Sequence, residues 1–262
     1  MNKEQSRLPN LHIETMGNAA APPVALLHGM MSTNRHWALN VDALATRFHL
    51  VLIELWGHGG SPAPASPSAY GAAGLVAALD DVRTGLGLPA WSLVGHSYGG
   101  AVALQYGLRR PAATTGIVWT NSRAAMSTAT DAEAAEMVEA LAGVDDPRQI
   151  AQHPINARRF PPDLHEAMIV DADATDLGAL RALFRAHWSV ASRDRLGELT
   201  MPVTLINGRF ERLFQPEVDR IRATCPNVVV VDVDAGHSPN IEVPDEFNRL
   251  VVDALAGTLP SC

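Results

Sequence analysis

Apolar residues fall along the chain in two periods. Short unbroken runs at 24–27, 48–55, 91–94, 115–120, 202–208 and 227–233 read as strands. Continuous runs of this kind suit strands covered on both faces. A run at 11–16 alternates apolar and polar residues and predicts an edge strand ended by Gly17, while residues 1–10 read as a frayed start. Helical spacing lies between the strands, at 40–47, 72–86, from Tyr98 onward, 216–225 and 245–255. In the second of these the apolar positions are Leu75, Val76, Leu79, Val82 and Leu86. Strands alternating with helices predict a mostly parallel sheet flanked by helices on both sides.

The alternation stops at residue 123 and resumes after 196. The intervening stretch is Ala-rich and acidic, with short helical segments broken at Asp145-Asp146-Pro147, His153-Pro154 and Phe160-Pro161-Pro162. It reads as a helical cap at 123–196 inserted into an α/β core made of 1–122 and 197–262. No internal repeat interrupts this plan.

Composition narrows the function classes. The 262 residues, 47% hydrophobic and 18% charged, suit a single α/β domain with a large core. A net charge of −8 argues against nucleic acid or an anionic membrane as partner. Cys225 and Cys262 are the two cysteines, and a pairing that involves the last residue is a poor structural disulfide. The first residues lead into no apolar signal region, and no stretch approaches the ~18–20 apolar residues of a membrane span. These features predict a cytoplasmic protein acting on a small molecule. Its oligomeric state is not readable from sequence.

The chemistry centres on Gly95-His96-Ser97-Tyr98-Gly99, which stands between a strand and a helix. A serine at a sharp strand-to-helix turn is exposed for attack, and flanking glycines let the chain pass close by. A serine hydroxyl needs a base within hydrogen-bond reach, itself oriented by an acid. His237 follows the last strand and is the base expected. Glu211 follows the strand at 202–208 and is the acid expected. The other position for an acid, after the strand at 115–120, holds Asn121, which cannot ionise; Asp131 or another cap residue would have to reach back. His28, His58 and His96 sit in turns beside the site and read as supporting residues. The backbone N–H groups of Tyr98 and Met30 are expected to stabilise an oxyanion. No dinucleotide or phosphate loop, CxxC pair or H-x-x-x-H spacing is present, so neither cofactor nor metal is expected.

Over nearly its whole length the chain resembles the α/β-hydrolase superfamily, in its serine-nucleophile branch with a helical cap. The matching residues are His28-Gly29, Glu54-x-x-Gly57-x-Gly59-x-Ser61, Gly95-His96-Ser97-Tyr98-Gly99-Gly100, Gly208-x-x-Glu211 and Gly236-His237. Most relatives carry Asp where Glu211 and Glu54 stand. Ser rather than Asp at position 97 argues against epoxide hydrolase and haloalkane dehalogenase chemistry. The resemblance implies hydrolysis of a small or medium carboxylic ester through Ser97, His237 and Glu211. Lactone, amide or carbon–carbon bond cleavage on the same residues is the alternative, and a ligand-binding protein with a retained, slow triad is another. Met31, Trp119, Trp188 and Phe210 are the substrate contacts expected, with Met30, Met126, Phe160 and Phe184 as further lining. Arg123, Arg158, Arg159 and Arg185 lie in the cap, and none stands out as a carboxylate anchor.

Overall fold

The computed structural model describes residues 11–259, so the expectations for residues 1–10 and for Cys262 lie outside the described residues. Among the described residues the apolar runs form strands β1 (Ile13–Met16), β2 (Pro23–Leu27), β3 (His49–Ile53), β4 (Trp91–Gly95), β5 (Thr114–Thr120), β6 (Val203–Gly208) and β7 (Val228–Val233). They make one sheet in the order β1-β3-β2-β4-β5-β6-β7, so β4 is central. β1 lies antiparallel on β3 at the edge, and the remaining pairs are parallel.

Successive side chains of a strand point to opposite faces, so each apolar run feeds two cores. Ala25, Leu27, Leu93, Ile117 and Leu205 join the larger cluster. That face is covered by α2 (Ala72–Gly85), α3 (Tyr98–Arg109) and α7 (Gln215–Thr224). Val24, Leu26, Val94, Val118 and Ile206 pack on the other face with α1 (Val41–Ala45) and α9 (Pro244–Ala256). α9 buries Phe247, Leu250, Val251 and Ala254, the stripe expected of a helix lying on a sheet. Each large side chain so buried contributes about 1.5–3 kcal/mol.

Two local expectations change. Leu86 is not a core position: α2 ends at Gly85, Leu86 is its C-cap, and Gly87 turns the chain at φ +70°, leaving Leu86 at the surface. A 3-10 turn at Asn34–Trp37 and the short α8 (Pro239–Glu242) are absent from the sequence reading, because each is fixed by distant partners. Asn40 donates to the Asn240 carbonyl at 3.0 Å and to Asn248 Oδ1 at 2.9 Å, and Asn240 donates to the His36 carbonyl at 2.8 Å.

Between β5 and β6 the chain carries α4 (Asp131–Ala142), α5 (Pro162–Asp173) and α6 (Leu177–Arg185). α4 opens with a capping box, in which Thr130 and Glu133 exchange side-chain-to-backbone hydrogen bonds. Arg181 of α6 donates to the carbonyls of Leu141 and Val144 at the far end of α4. The helices share a smaller apolar cluster of Val138, Ile150, Ala172, Leu180 and Phe184, into which Met31 inserts from the loop after β2. Asp171 of α5 accepts from Thr33 Oγ1 and Arg35 Nε, both at 2.7 Å, and so ties the segment to the same loop. No helix among the described residues is long and apolar enough to cross a membrane.

Candidate active site

The sheet creates one crevice at its C-terminal edge. The chain leaves β2 toward the face of α1 and leaves β4 toward the face of α3, so the two adjacent loops diverge. Ligands bind open α/β sheets at such a switch point. The loop after β2 carries Met30, and the turn after β4 carries Ser97.

Ser97 has φ +52° and ψ −117°, a conformation that costs a non-glycine residue about 1–3 kcal/mol and that only its surroundings can hold. The turn requires its glycines. A Cβ on Gly95 would stand 2.6 Å from the Gly100 nitrogen, and one on Gly99 would overlap the Leu27 and His28 carbonyl oxygens. Tyr98 is the first residue of α3, so its N–H lies at the positive end of that helix.

The loop after β2 is held by two neutral histidines. Leu55 N–H donates to His28 Nε2 at 3.0 Å, and Met31 N–H donates to His58 Nε2 at 3.0 Å. Each ring therefore carries its proton on Nδ1, which donates to the Gly29 carbonyl in His28 and to the Trp56 carbonyl in His58. Complete burial pushes His58 down to about 4, and the same burial lowers His28 well below the usual imidazole range. Met31 itself sits at φ +55° and is 1% exposed. Glu54 braces the following turn by accepting from the Asn34 and Gly60 N–H groups at 3.2 and 2.6 Å.

His237 and Glu211 come together across the β6 and β7 loops: His237 Nδ1 donates to Glu211 Oε2 at 3.0 Å. That bond fixes the tautomer and leaves Nε2 as the basic nitrogen. Asn121 and Gly208 exchange two hydrogen bonds, at 2.9 and 3.0 Å, and Gln215 Nε2 donates to the Glu211 carbonyl at 3.0 Å. Asn121 thus anchors the end of β6, from which the loop carrying Glu211 leaves. The side chain of Asp131 lies outside the described residues. His96 Nε2 donates to the His237 carbonyl at 3.0 Å, and its ring stacks on His36 with centroids 4.0 Å apart. Burial, with the neighbouring His237, pushes His36 down to about 3.

Ser97, His237 and Glu211 line one cavity of about 880 Å³, together with Met30 and Tyr98. Met31, Met126, Phe160 and Phe184 also line it. Three of the expected substrate contacts lie elsewhere. Trp119 points into the larger core, fully buried with its ring edge-on to Phe214. Trp188 is 48% exposed on a separate depression, next to Arg185. Phe210 is exposed, its ring flanked by the guanidinium groups of Arg159 at 4.7 Å and Arg209 at 5.6 Å. Met137, Met168, His187 and Phe214 line the cavity without having been foreseen; the helical spacing of Met137 and Met168 was the available signal. Arg123, Arg158 and Arg159 contribute from the inserted segment. No three His, Cys, Asp or Glu residues converge as a metal site requires, among the described residues.

The sequence profile of the alpha/beta hydrolase family matches residues 24–250, most of the chain. The chain belongs to the alpha/beta hydrolase family. This alpha/beta hydrolase is 25% identical over 255 residues to RutD of Klebsiella pneumoniae, a protein named as a candidate carbamate hydrolase, covering 92% of this chain and 93% of RutD. It is 32% identical over 111 residues to epoxide hydrolase 3 of Xenopus tropicalis, and that match spans 42% of this chain and 30% of the relative. The enol-lactonase of Burkholderia xenovorans shares the fold at a TM-score of 0.80 and 21% identity, covering 94% of this chain and 96% of the enol-lactonase.

Glu242, beside His237, is a further polar residue at the site that sequence reasoning missed. Glu242 accepts from the Gly236 N–H at 2.8 Å and from the Ser238 N–H at 3.3 Å, one on each side of His237. Ser238 is the N-cap of α8, with Pro239 at the first helical position and Glu242 three residues further on. A serine followed four residues later by Glu is a relative of the capping box, and it was the signal available.

Proposed function

We propose that this alpha/beta hydrolase cleaves a carboxylic ester of small to medium size through an acyl-enzyme on Ser97. The observation that carries the reading is the 3.0 Å contact of Glu211 Oε2 with His237 Nδ1, on the same cavity as a serine in a strained turn. His237 Nε2 takes the Ser97 proton as Oγ attacks the acyl carbon. Glu211 holds the ring in that tautomer and stabilises the imidazolium. The N–H groups of Tyr98 and Met30 receive the oxyanion, as preorganised donors at no reorganisation cost. The imidazolium then protonates the leaving alcohol, and water activated by the same nitrogen frees the acid. In this account residues 123–196 form the cap, and Met31 is the one substrate contact kept from the four expected. Met126, Phe160 and Phe184 join it in an apolar wall suited to an acyl or aromatic group.

The relative named for a carbamate favours a second reading, hydrolysis of a carbamate on the same three residues. Both bonds present a carbonyl to the same machinery. A cavity of about 880 Å³ is far larger than a minimal carbamate fills, which supports the reading of a bulkier ester. The test is a rate survey across esters, lactones, amides, carbamates and vinylogous 1,5-diketones, with Ser97→Ala as control. The reading expects esters to lead and Ser97→Ala to lose that activity. Full activity of Ser97→Ala on the best substrate would end it.

A further inference from the structure

The carboxylate of Glu242 has no part in the chemistry above, yet it touches the chain on both sides of the proposed base. Its side chain is 8% exposed, and its three partners are the Gly236 N–H, the Ser238 N–H and Arg159 Nη1 at 3.4 Å. A Cβ on Gly236 would stand 3.0 Å from Glu242 Oε1, so a side chain there would crowd this approach. Arg159 comes from the segment between β5 and β6, and it reaches the acid loop as well: its guanidinium lies 4.7 Å over the ring of Phe210, the residue before Glu211. The Phe210 N–H in turn donates to the Ala235 carbonyl at 2.9 Å, which ties the acid loop to the base loop.

We propose that Glu242 is a positioning residue for His237, and that Arg159 couples this positioning to the seating of the cap. The inference rests on the triad reading. Two bonds from one carboxylate hold the N–H groups of the residues before and after His237, and the His96 bond to the His237 carbonyl holds the same peptide unit as the Ser238 N–H. The side chain then keeps its two torsions, about Cα–Cβ and Cβ–Cγ, and the Glu211 bond to Nδ1 restrains both. A base held at fewer points drifts from Ser97, and a displacement of about 1 Å costs on the order of 100-fold in rate. The Arg159–Glu242 pair adds little to stability, because Arg159 is 54% exposed. Its effect is on geometry: a cap that moves away withdraws the cation from Glu242 and from Phe210 together.

The experiment compares Glu242→Ala, Glu242→Gln, Arg159→Ala and Arg148→Ala with the parent chain. Arg148 is the control, since it pairs with Asp173 in the same segment and does not touch the His237 loop. Active sites are titrated with a fluorophosphonate, kcat and KM are measured on p-nitrophenyl butyrate, and Tm is recorded. In Glu242→Ala, kcat per titrated site falls toward the order of 100-fold while KM stays within about twofold, the mark of an interaction needed in the transition state. Glu242→Gln keeps one acceptor oxygen and falls less. Arg159→Ala falls in the same direction by less than Glu242→Ala, and Arg148→Ala leaves kcat per site unchanged. The proposal is overturned if the two Glu242 variants keep the parent kcat per titrated site, with any loss confined to Tm and to the active fraction. It is also overturned if Arg148→Ala matches Arg159→Ala. A parent chain that takes no fluorophosphonate at Ser97 overturns this proposal and the triad reading together; a labelled parent with unaffected Glu242 variants overturns this one alone.

Discussion

Acid should loosen this enzyme well before its carboxylates titrate, because the turns around Ser97 are built on buried neutral histidines. His58 is pushed down to about 4 and His36 to about 3, both from 6.5. A group depressed in the folded state leaves stability untouched above its unfolded value. As pH falls below about 6.5 the unfolded chain binds the proton and the folded chain does not, so stability is lost down to the folded value. At about pH 5 each histidine lies roughly 1.5 units below its unfolded pKa and above its folded one, a loss of about 2 kcal/mol apiece. The pair together removes about 4 kcal/mol, from a total that for a folded domain is about 5–15 kcal/mol. His28 and His96 are lowered as well, and they act in the same direction. Urea unfolding at about pH 7.5 and about pH 5 reads this directly as a fall in the free energy of unfolding. His58→Gln keeps an acceptor for the Met31 N–H and removes the titration, so its gap between the two pH values narrows by about 2 kcal/mol. A parent gap below about 1 kcal/mol would refute the reasoning, since it would mean that these rings take up protons in the fold.

Other outcomes follow from the same contacts. Glu211→Gln keeps the shape of the side chain but supports the wrong tautomer of His237, and kcat on the best ester drops by up to about ten-thousand-fold with little change in the urea midpoint. Asn121→Ala strands the Gly208 N–H in the core, while the Gly208 carbonyl keeps the Glu211 N–H and Gln215 Nε2, and unfolding by urea shows a loss of about 1–3 kcal/mol. Gly99→Ala drives a methyl group into the Leu27 and His28 carbonyls, and circular dichroism of any soluble fraction shows a destabilisation of about 1–3 kcal/mol or more.

The core was legible because physics writes it locally. A strand covered on both faces must be apolar throughout, so β2, β3 and β4 stand out as short runs. The turn at Ser97 demands small neighbours, so its glycines stand out too. His237 and Glu211 could be placed because each follows a strand, and strand ends at one edge of a parallel sheet meet in space. The cavity wall was not legible in the same way. Trp119 sits near the end of β5, but strand parity sends its ring to the core with Leu205 and Phe214, away from the site. Trp188 and Phe210 are aromatic and exposed, and hydrophobicity alone cannot tell an exposed ring from a lining one. The helices between β5 and β6 are positioned by partners such as Asp171 on Thr33 and Arg35, more than a hundred residues away, and no local period encodes such contacts. Glu242 shows the same limit: its partners flank His237, but its own spacing reads only as a helix cap.

The account stands on Ser97 being a nucleophile activated by His237. Intact-mass spectrometry after exposure to a fluorophosphonate, followed by peptide mapping, tests that most directly. The account predicts one adduct per chain, on Ser97, with none in Ser97→Ala and strongly slowed labelling in His237→Ala. A chain that remains unlabelled, or carries its adduct on another serine, would contradict it and favour a ligand-binding protein on the same fold.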